Sequence, residues 1–269
     1  MTVTRRRAIF LVYEGFELLD LAGPSAVMMA ANSIACPGRY DVVTVSAQGG
    51  AVISSAGIVV ETRSIGQVRP GLRDTVLACG AEREAVLAAC ANPEHRRWLQ
   101  AAAKRSERFG SICTGAFLLA AAGLLAGKRA TTHWLACEEL VKLTDRATID
   151  SDALYVTDGR LWTSGGATSG VDMALALVAR DSGSRWVGEV ASRLVMHAHR
   201  SGNQSQFSTI VRAQVSSKNT FGEVLQWIDE NLHRSVSVAE MAEKAGQTER
   251  TFYRRFAGGD RQDARDVFD

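Results

Sequence analysis

The chain has 269 residues, of which 46% are hydrophobic and 22% charged, and its net charge is +2 at neutral pH. That length predicts one sizeable core plus a smaller appendage, and the low charge gives no argument for a nucleic-acid coat over the whole surface, so any such partner is engaged locally. The five cysteines, Cys36, Cys79, Cys90, Cys113 and Cys137, form neither C-x-x-C pairs nor a secretory framework and read as reduced thiols.

Arg5 to Arg7 precede only Ala8 to Val12 before Tyr13 and Glu14 interrupt, too short for a signal segment. No later run approaches the roughly 20 apolar residues that would cross a bilayer. A cytoplasmic protein with no membrane partner is expected.

Ala8 to Tyr13 is an apolar run without alternation, as in a strand buried on both faces. Gly15 and F-E-L-L-D-L-A-G-P lead into a helix, with Pro24 in its first turn, Ala26 to Ala31 on its apolar face and its end near Asn32. Asp20 sits where the chain leaves the first strand. An Asp there commonly caps the helix, but the same end of an α/β sheet is where ligands bind, and both readings stand. Tyr40 to Ala47 predicts a second strand, Ala51 to Thr62 a hairpin with Gly57 near its middle, and Asp74 to Cys79 another strand running into Gly80 and Ala81. Pro93 and Glu94 start a helix through Ala103, with Trp98, Leu99 and Ala102 on one face and His95 in solvent.

The stretch Arg108 to Trp134, R-F-G-S-I-C-T-G-A-F-L-L-A-A-A-G-L-L-A-G-K-R-A-T-T-H-W, reads as a nucleophile elbow. Phe109 to Ile112 form a buried strand, Cys113 ends it, and Gly115 opens an apolar helix to Ala122. Such a turn aims backbone N–H groups and the helix dipole at the sulfur, which favours thiolate. Taken alone, a cysteine on an apolar segment is more often a small core residue. Thr114 and Gly115 leave room for the turn, while Gly123 and Gly127 stop the helix and start a second strand ending in Thr131, Thr132 and His133. Trp134 to Leu143 is then a helix with Leu135, Leu140 and Val141 inward and Cys137 structural. Asp152 to Thr157 and Arg160 to Thr163 form a hairpin with a type I′ turn at Asp158-Gly159. The glycine-rich S-G-G-A-T-S-G that follows is neither a Walker A loop nor a dinucleotide fingerprint. No cofactor and no metal site is expected, and Asp172 reads as a first-turn acid suited to the helix dipole. Strands alternating with helices over roughly the first 190 residues imply a mostly parallel sheet with helices on both faces.

In combination, L-D-L-A-G-P, S-I-C-T-G-A and R-A-T-T-H-W resemble the ThiJ/PfpI superfamily, related to class I glutamine amidotransferases. The resemblance implies a flavodoxin-like α/β fold and a commonly homodimeric domain. It implies a catalytic set of Cys113, His133 and Asp20, the acid facing the cysteine as in isonitrile hydratases, and a ligand site at Asp20, Gly80, Cys113, Thr114 and His133. Cys79-Gly80 stands where relatives often show a glycine pair supplying an oxyanion-type N–H.

From Val190 to Gly222 there is no acidic residue, while Arg193, Arg200, Arg212, Lys218, His197 and His199 make a basic stretch. Phe221 to Leu232 then has helical apolar spacing, with Val224, Leu225, Trp227, Ile228 and Leu232 on one face. Ser237 with Glu240 reads as a capping box. Met241, Ala242 and Ala245 form an inner face, Gly246 a turn, and T-E-R-T-F-Y-R-R-F the next helix, anchored by Phe252 and Phe256. This is a helix-turn-helix pattern, although a charged helix face is usually only solvated. The segment resembles the first helix-turn-helix of AraC/XylS regulators, and a ThiJ/PfpI domain joined to such a segment resembles GlxA-like transcriptional regulators. The resemblance implies DNA contacts from Thr248, Arg250, Thr251, Arg254 and Arg255. Those regulators carry two such motifs joined by a long helix; this sequence has the first, and Ala257 to Asp269 would begin the linking helix.

The expected organisation is an α/β domain at 1–195, a basic linker at 196–220 and a small all-α domain at 221–269. The expected function is a DNA-binding transcriptional regulator whose amidotransferase-like domain senses a small-molecule effector without efficient turnover. The alternatives are a cysteine-dependent hydratase or amidase, and a sensor that has lost DNA binding.

Overall fold

The computed structural model describes residues 5–35, 37–196, 200–202, 204, 206, 224, 227–228, 231, 234 and 236–258, the last four of these in backbone only. The chain forms two compact units, Met1–Gln206 and Phe207–Asp269.

In the first unit β1 (Arg6–Leu11) leads to α1 (Leu18–Ile34), β2 (Tyr40–Ser46), the hairpin β3 (Gly50–Ile53) and β4 (Val59–Ser64), and β5 (Thr75–Ala78). Then follow α2 (Arg83–Ala91), α3 (Pro93–Arg105), β6 (Arg108–Ile112), α4 (Ala116–Ala121), β7 (Arg129–Ala130), α5 (Cys137–Leu143) and β8 (Thr148–Ile149). The unit closes with the hairpin β9 (Tyr155–Asp158) and β10 (Leu161–Ser164), α6 (Thr168–Ser182) and α7 (Val187–Arg193). The main sheet has the order β3-β4-β2-β1-β5-β6-β10-β9. Its strands pair in parallel from β4 to β10, and only the edge strands β3 and β9 are antiparallel. The run β2-β1-β5-β6-β10 is the flavodoxin-like order, whose switch point lies between β1 and β5.

The strands are apolar without a break because both faces are covered. From β1 and the residues just after it, Ala8, Phe10 and Val12 pack with Met28 of α1 and Met173 and Leu177 of α6. Ile9, Leu11 and Tyr13 pack on the other side with Val86, Leu99 and Leu118. Close approach of backbones selects glycine at one strand position in particular: a Cβ on Gly110 would lie 1.6 Å from the Trp162 carbonyl oxygen.

Several expectations need correction. The first helix begins at Leu18 with Glu17 as its cap, so Pro24 lies inside it and Asp20 is no cap. α2 was not foreseen. His95 is buried, its Nδ1 3.0 Å from the Ala89 carbonyl. Thr131 to His133 do not continue a strand: β7 is only Arg129–Ala130 and pairs with β8 in a separate small sheet, because the Thr131 N–H turns to the Thr163 hydroxyl at 2.8 Å. Leu135 and Val141 are exposed, and only Leu140 of that trio points inward. In the β9–β10 turn Gly159 has φ 61 while Arg160 is not left-handed, the sign pattern of a II′ turn. Asp172 is buried in an ion pair with Arg200 rather than serving the helix end. The basic stretch from Arg200 to Gln206 packs on the first unit at its described positions instead of linking.

In the second unit α8 (Val238–Lys244) starts at the foreseen capping box of Ser237 and Glu240. Gly246, at φ 63, turns the chain into α9 (Glu249–Gly258). Val224, Ala242, Ala245 and Phe252 form the core between them, with Ile228 and Met241 packed against it. Most of the helix expected at Phe221–Leu232, the side chains of Arg255 and Phe256, Cys36, and residues 259–269 lie outside the described residues. Among the described residues no helix is long and apolar enough to cross a membrane.

Candidate functional site

The C-terminal ends of β1, β5, β6 and β10 converge on Cys113. The cysteine has φ 54, a left-handed conformation that a side chain adopts at a cost. It opens a short 3-10 turn, Cys113–Gly115, that runs into α4. Two glycines wall the sulfur because nothing larger fits. A Cβ on Gly80 would lie 2.8 Å from Cys113 Cβ, and a Cβ on Gly166 would lie 2.6 Å from Sγ. Thr114 ties the elbow to the β5 loop, its hydroxyl donating to the Ala81 carbonyl at 2.6 Å and accepting from the Ala81 N–H at 2.9 Å. The Thr132 hydroxyl donates to the Cys113 carbonyl at 2.9 Å.

Asp20 organises these walls from beneath. Fully buried, it accepts from the Gly80 N–H at 2.9 Å and from the Ala167 N–H at 3.0 Å. It therefore fixes the loops after β5 and after β10 on either side of the sulfur, including Ala167, which is held at φ 47. The Gly80 N–H points at this carboxylate, so the residue contributes shape rather than a donor toward a ligand.

Above Cys113 lies a cleft of about 340 Å³, lined by Cys113, Thr114 and His133 together with Glu17, Phe117 and Leu135 among others. Cys113 and His133 thus share one cleft, while Asp20 and Gly80 are not among its lining. Burial raises Asp20 to about 7 against the opposing bonds from Gly80 and Ala167. Burial, and then the Asp20 charge, push the Cys113 thiol up to about 12. Burial lowers His133 below its usual value, opposed by Glu82. At neutral pH the thiol and the imidazole are both uncharged, the reverse of the thiolate expected from the elbow, because burial outweighs what the turn supplies.

Sequence reasoning missed Gly166 and Ala167, and also Glu17 and Glu82 at the cleft. The doublet Gly165-Gly166 is visible in the sequence, but not that Gly166 lets the loop pass the sulfur. Among the described residues no group of three or more His, Cys, Asp or Glu could hold a metal, and the four described cysteines are free thiols.

In the second unit Thr248 starts α9: its hydroxyl accepts from the Thr251 N–H at 3.4 Å and lies 3.0 Å from the Thr251 hydroxyl. Arg250 and Arg254 are exposed and Phe252 is buried. Four of the five expected DNA-contacting side chains therefore lie at the start or on the outside of one helix.

Comparison with known proteins is consistent with both halves. The model of the DJ-1/PfpI family matches residues 6–180. The HTH-type transcriptional regulator GbdR of Pseudomonas aeruginosa is 26% identical over 247 residues, covering 92% of this chain and 66% of that protein. This chain thus spans just under two thirds of its length. The HTH-type transcriptional regulator GlxA of Rhizobium meliloti is 27% identical over 260 residues, 93% of this chain and 76% of its own. An isonitrile hydratase of Pseudomonas putida is 32% identical over 169 residues, 62% of this chain and 68% of the enzyme. Among solved structures, a ThiJ/PfpI family protein from Pseudomonas syringae superposes with a TM-score of 0.66 at 22% identity, covering 91% of this chain and 92% of that one, a likeness of fold.

Proposed function

We infer, since the chain belongs to the DJ-1/PfpI family, that it is a DNA-binding transcriptional regulator in which the family domain binds a small-molecule effector and the second unit contacts promoter DNA. The observation that carries this reading is the helix pair α8–α9: capped at Ser237, turned at Gly246, anchored by Phe252 and presenting Arg250 and Arg254 outward. An enzyme has no use for such an appendage. A sensor can keep an inherited cleft, and the uncharged Cys113 suits binding better than nucleophilic attack. The GbdR and GlxA regulators, similar along more than nine tenths of this chain, support the same reading.

Cys113, Thr114 and His133 face the effector, with Asp20 and Gly80 holding the walls. Thr248, Arg250, Thr251, Arg254 and Arg255 contact DNA. The domain associates as a homodimer in the cytoplasm. A gel-shift assay with the promoter region of the chain's own gene tests this: the native protein binds at low salt, and Arg254→Ala with Arg255→Ala removes binding while the circular dichroism stays unchanged. A shift that survives the double substitution, or none on any neighbouring promoter, overturns the reading.

A second reading, a cysteine-dependent isonitrile hydratase or amidase, draws on Cys113 and His133 lining one cleft and on the similarity to the hydratase. Saturable turnover of an isonitrile or amide that is lost in Cys113→Ala would establish it instead.

A further inference from the structure

Asp172 is fully buried on α6, and Arg200, from beyond α7, reaches it. The Arg200 Nη2 and Nε donate to the same carboxylate oxygen at 2.7 and 3.0 Å, and its backbone N–H donates to the other at 3.0 Å. Nη2 also donates to the Thr168 hydroxyl at 2.9 Å. Beyond this anchor Gly202, Gln204 and Gln206 pair with residues at and just before the start of β9, the edge of the main sheet. The Tyr155 N–H donates to the Gly202 carbonyl at 3.4 Å, the Leu154 N–H to the Gln204 carbonyl at 3.1 Å, and the Gln206 N–H to the Asp152 carbonyl at 2.7 Å. The Gln206 carboxamide then donates to the Thr132 carbonyl at 3.0 Å, the Ala153 carbonyl at 3.0 Å and the Thr131 hydroxyl at 3.2 Å.

Gln206 thereby touches two segments that border Cys113. Thr132, whose carbonyl it holds, donates its own hydroxyl to the Cys113 carbonyl. Its carboxamide also sits on Gly165, where a Cβ would lie 2.4 Å from it, and the next residue, Gly166, is the one pressed against Sγ. The next residue after Gln206, Phe207, opens the second unit.

We propose that the segment Arg200–Gln206 is a latch that couples the Cys113 cleft to the chain continuing at Phe207. Anything that enlarges the sulfur, or presses on Ala167 where it lines the cleft, bears on Gly166, and with it on Gly165, on which the Gln206 amide rests. In a close-packed site that displacement has no slack to dissipate it. The Arg200–Asp172 pair holds the latch docked, since undocking would leave a buried carboxylate unpaired. Coupling of this kind is reciprocal, so undocking the latch changes access to Cys113 as much as filling the cleft loosens the latch. The output to DNA rests on the regulator reading above; the coupling to the cleft does not.

The test uses the full chain with two independent variants. Gln206→Ala removes the far end of the latch and strands no charge, and Arg200→Ala combined with Asp172→Asn removes the anchor without leaving a buried carboxylate unpaired. Amide exchange at Leu154, Tyr155 and position 206, followed by mass spectrometry, should accelerate at least about tenfold in both while the amides of β1 keep their protection. In the same samples, labelling of Cys113 by a small neutral disulfide at fixed pH should accelerate several-fold. Exchange that stays at the native rate, or fast exchange beside an unchanged Cys113 labelling rate, overturns the latch. A gel shift on the same variants reads the output: altered promoter affinity carries the coupling through to DNA, whereas a native chain that binds no promoter removes the regulator reading and leaves the exchange and labelling result to decide the latch.

Discussion

A carboxylate that accepts two backbone N–H bonds is ordinarily a stronger acid than usual, yet Asp20 is raised from 3.8 to about 7 because its burial outweighs the bonds from Gly80 and Ala167. The folded value lies above the unfolded one, so between pH 4 and 7 the native state holds the proton more tightly. Stability is therefore lost as pH rises across that window and levels off above it. Asp20→Asn should remove this slope: the native urea midpoint falls between pH 4.5 and 7.5, and that of the variant falls less. Identical slopes would mean that Asp20 is ionised throughout. The same burial orders the thiols. Cys90 is raised to about 11 and Cys113, the more buried and the one beside the Asp20 charge, to about 12, so burial and that charge disfavour the Cys113 thiolate the more. Iodoacetamide at pH 8, read by peptide mass mapping, should label Cys90 before Cys113. The reverse order would indicate that a protonated Asp20 donates to the sulfur and stabilises its thiolate.

At the scale of elements, what could be read from sequence was what its neighbours along the chain decide. The capping box of α8 is an example, because Ser237 and Glu240 are one helical turn apart and satisfy each other: the Ser237 N–H donates to Glu240 at 2.8 Å and the Glu240 N–H to Ser237 at 3.3 Å. Hydrogen bonds from Ser237 and Arg234 lower Glu240 to about 2, below its unfolded value, so its contribution is present above about pH 4.5 and lost as pH falls toward 2. Ser237→Ala should cost about 1 kcal/mol, seen as a lower melting temperature of the second unit's transition; no change there would make the cap dispensable. The elbow was legible on the same terms, since strand, cysteine and small residues are contiguous, and so was the β3–β4 hairpin. What long-range partners decide was not. By sequence Asp172 belongs to its own helix end, but its partner Arg200 lies 28 positions on. By sequence His95 belongs in solvent, although α3 turns it onto the Ala89 carbonyl. The elbow implied a thiolate, but the charge of the thiol depends on burial and on Asp20, 93 positions away in sequence.

For the whole molecule, the charge balance decides how DNA could be held. From Phe221 to Asp269 there are seven Lys and Arg against ten Asp and Glu, so the segment as a whole is not drawn to phosphate and attraction has to come from the arginine face of α9 and the acid-free stretch before it. One recognition helix reads few bases, and three arginines neutralise at most about three phosphates, which gives a salt slope near −3 for a single copy. A homodimer doubles both terms. Two helices docking on half-sites one DNA turn apart, about 10 base pairs, would give a slope near −5 and affinity beyond either contact alone. The prediction is that log affinity plotted against log salt falls with the steeper slope on a promoter carrying two half-sites. Inserting about 5 base pairs between them, which turns the second half-site to the opposite face of the duplex, should then weaken binding to the level of one half-site. A slope near −3 that ignores the insertion would mean that protomers bind singly, each through the arginine face of its own α9.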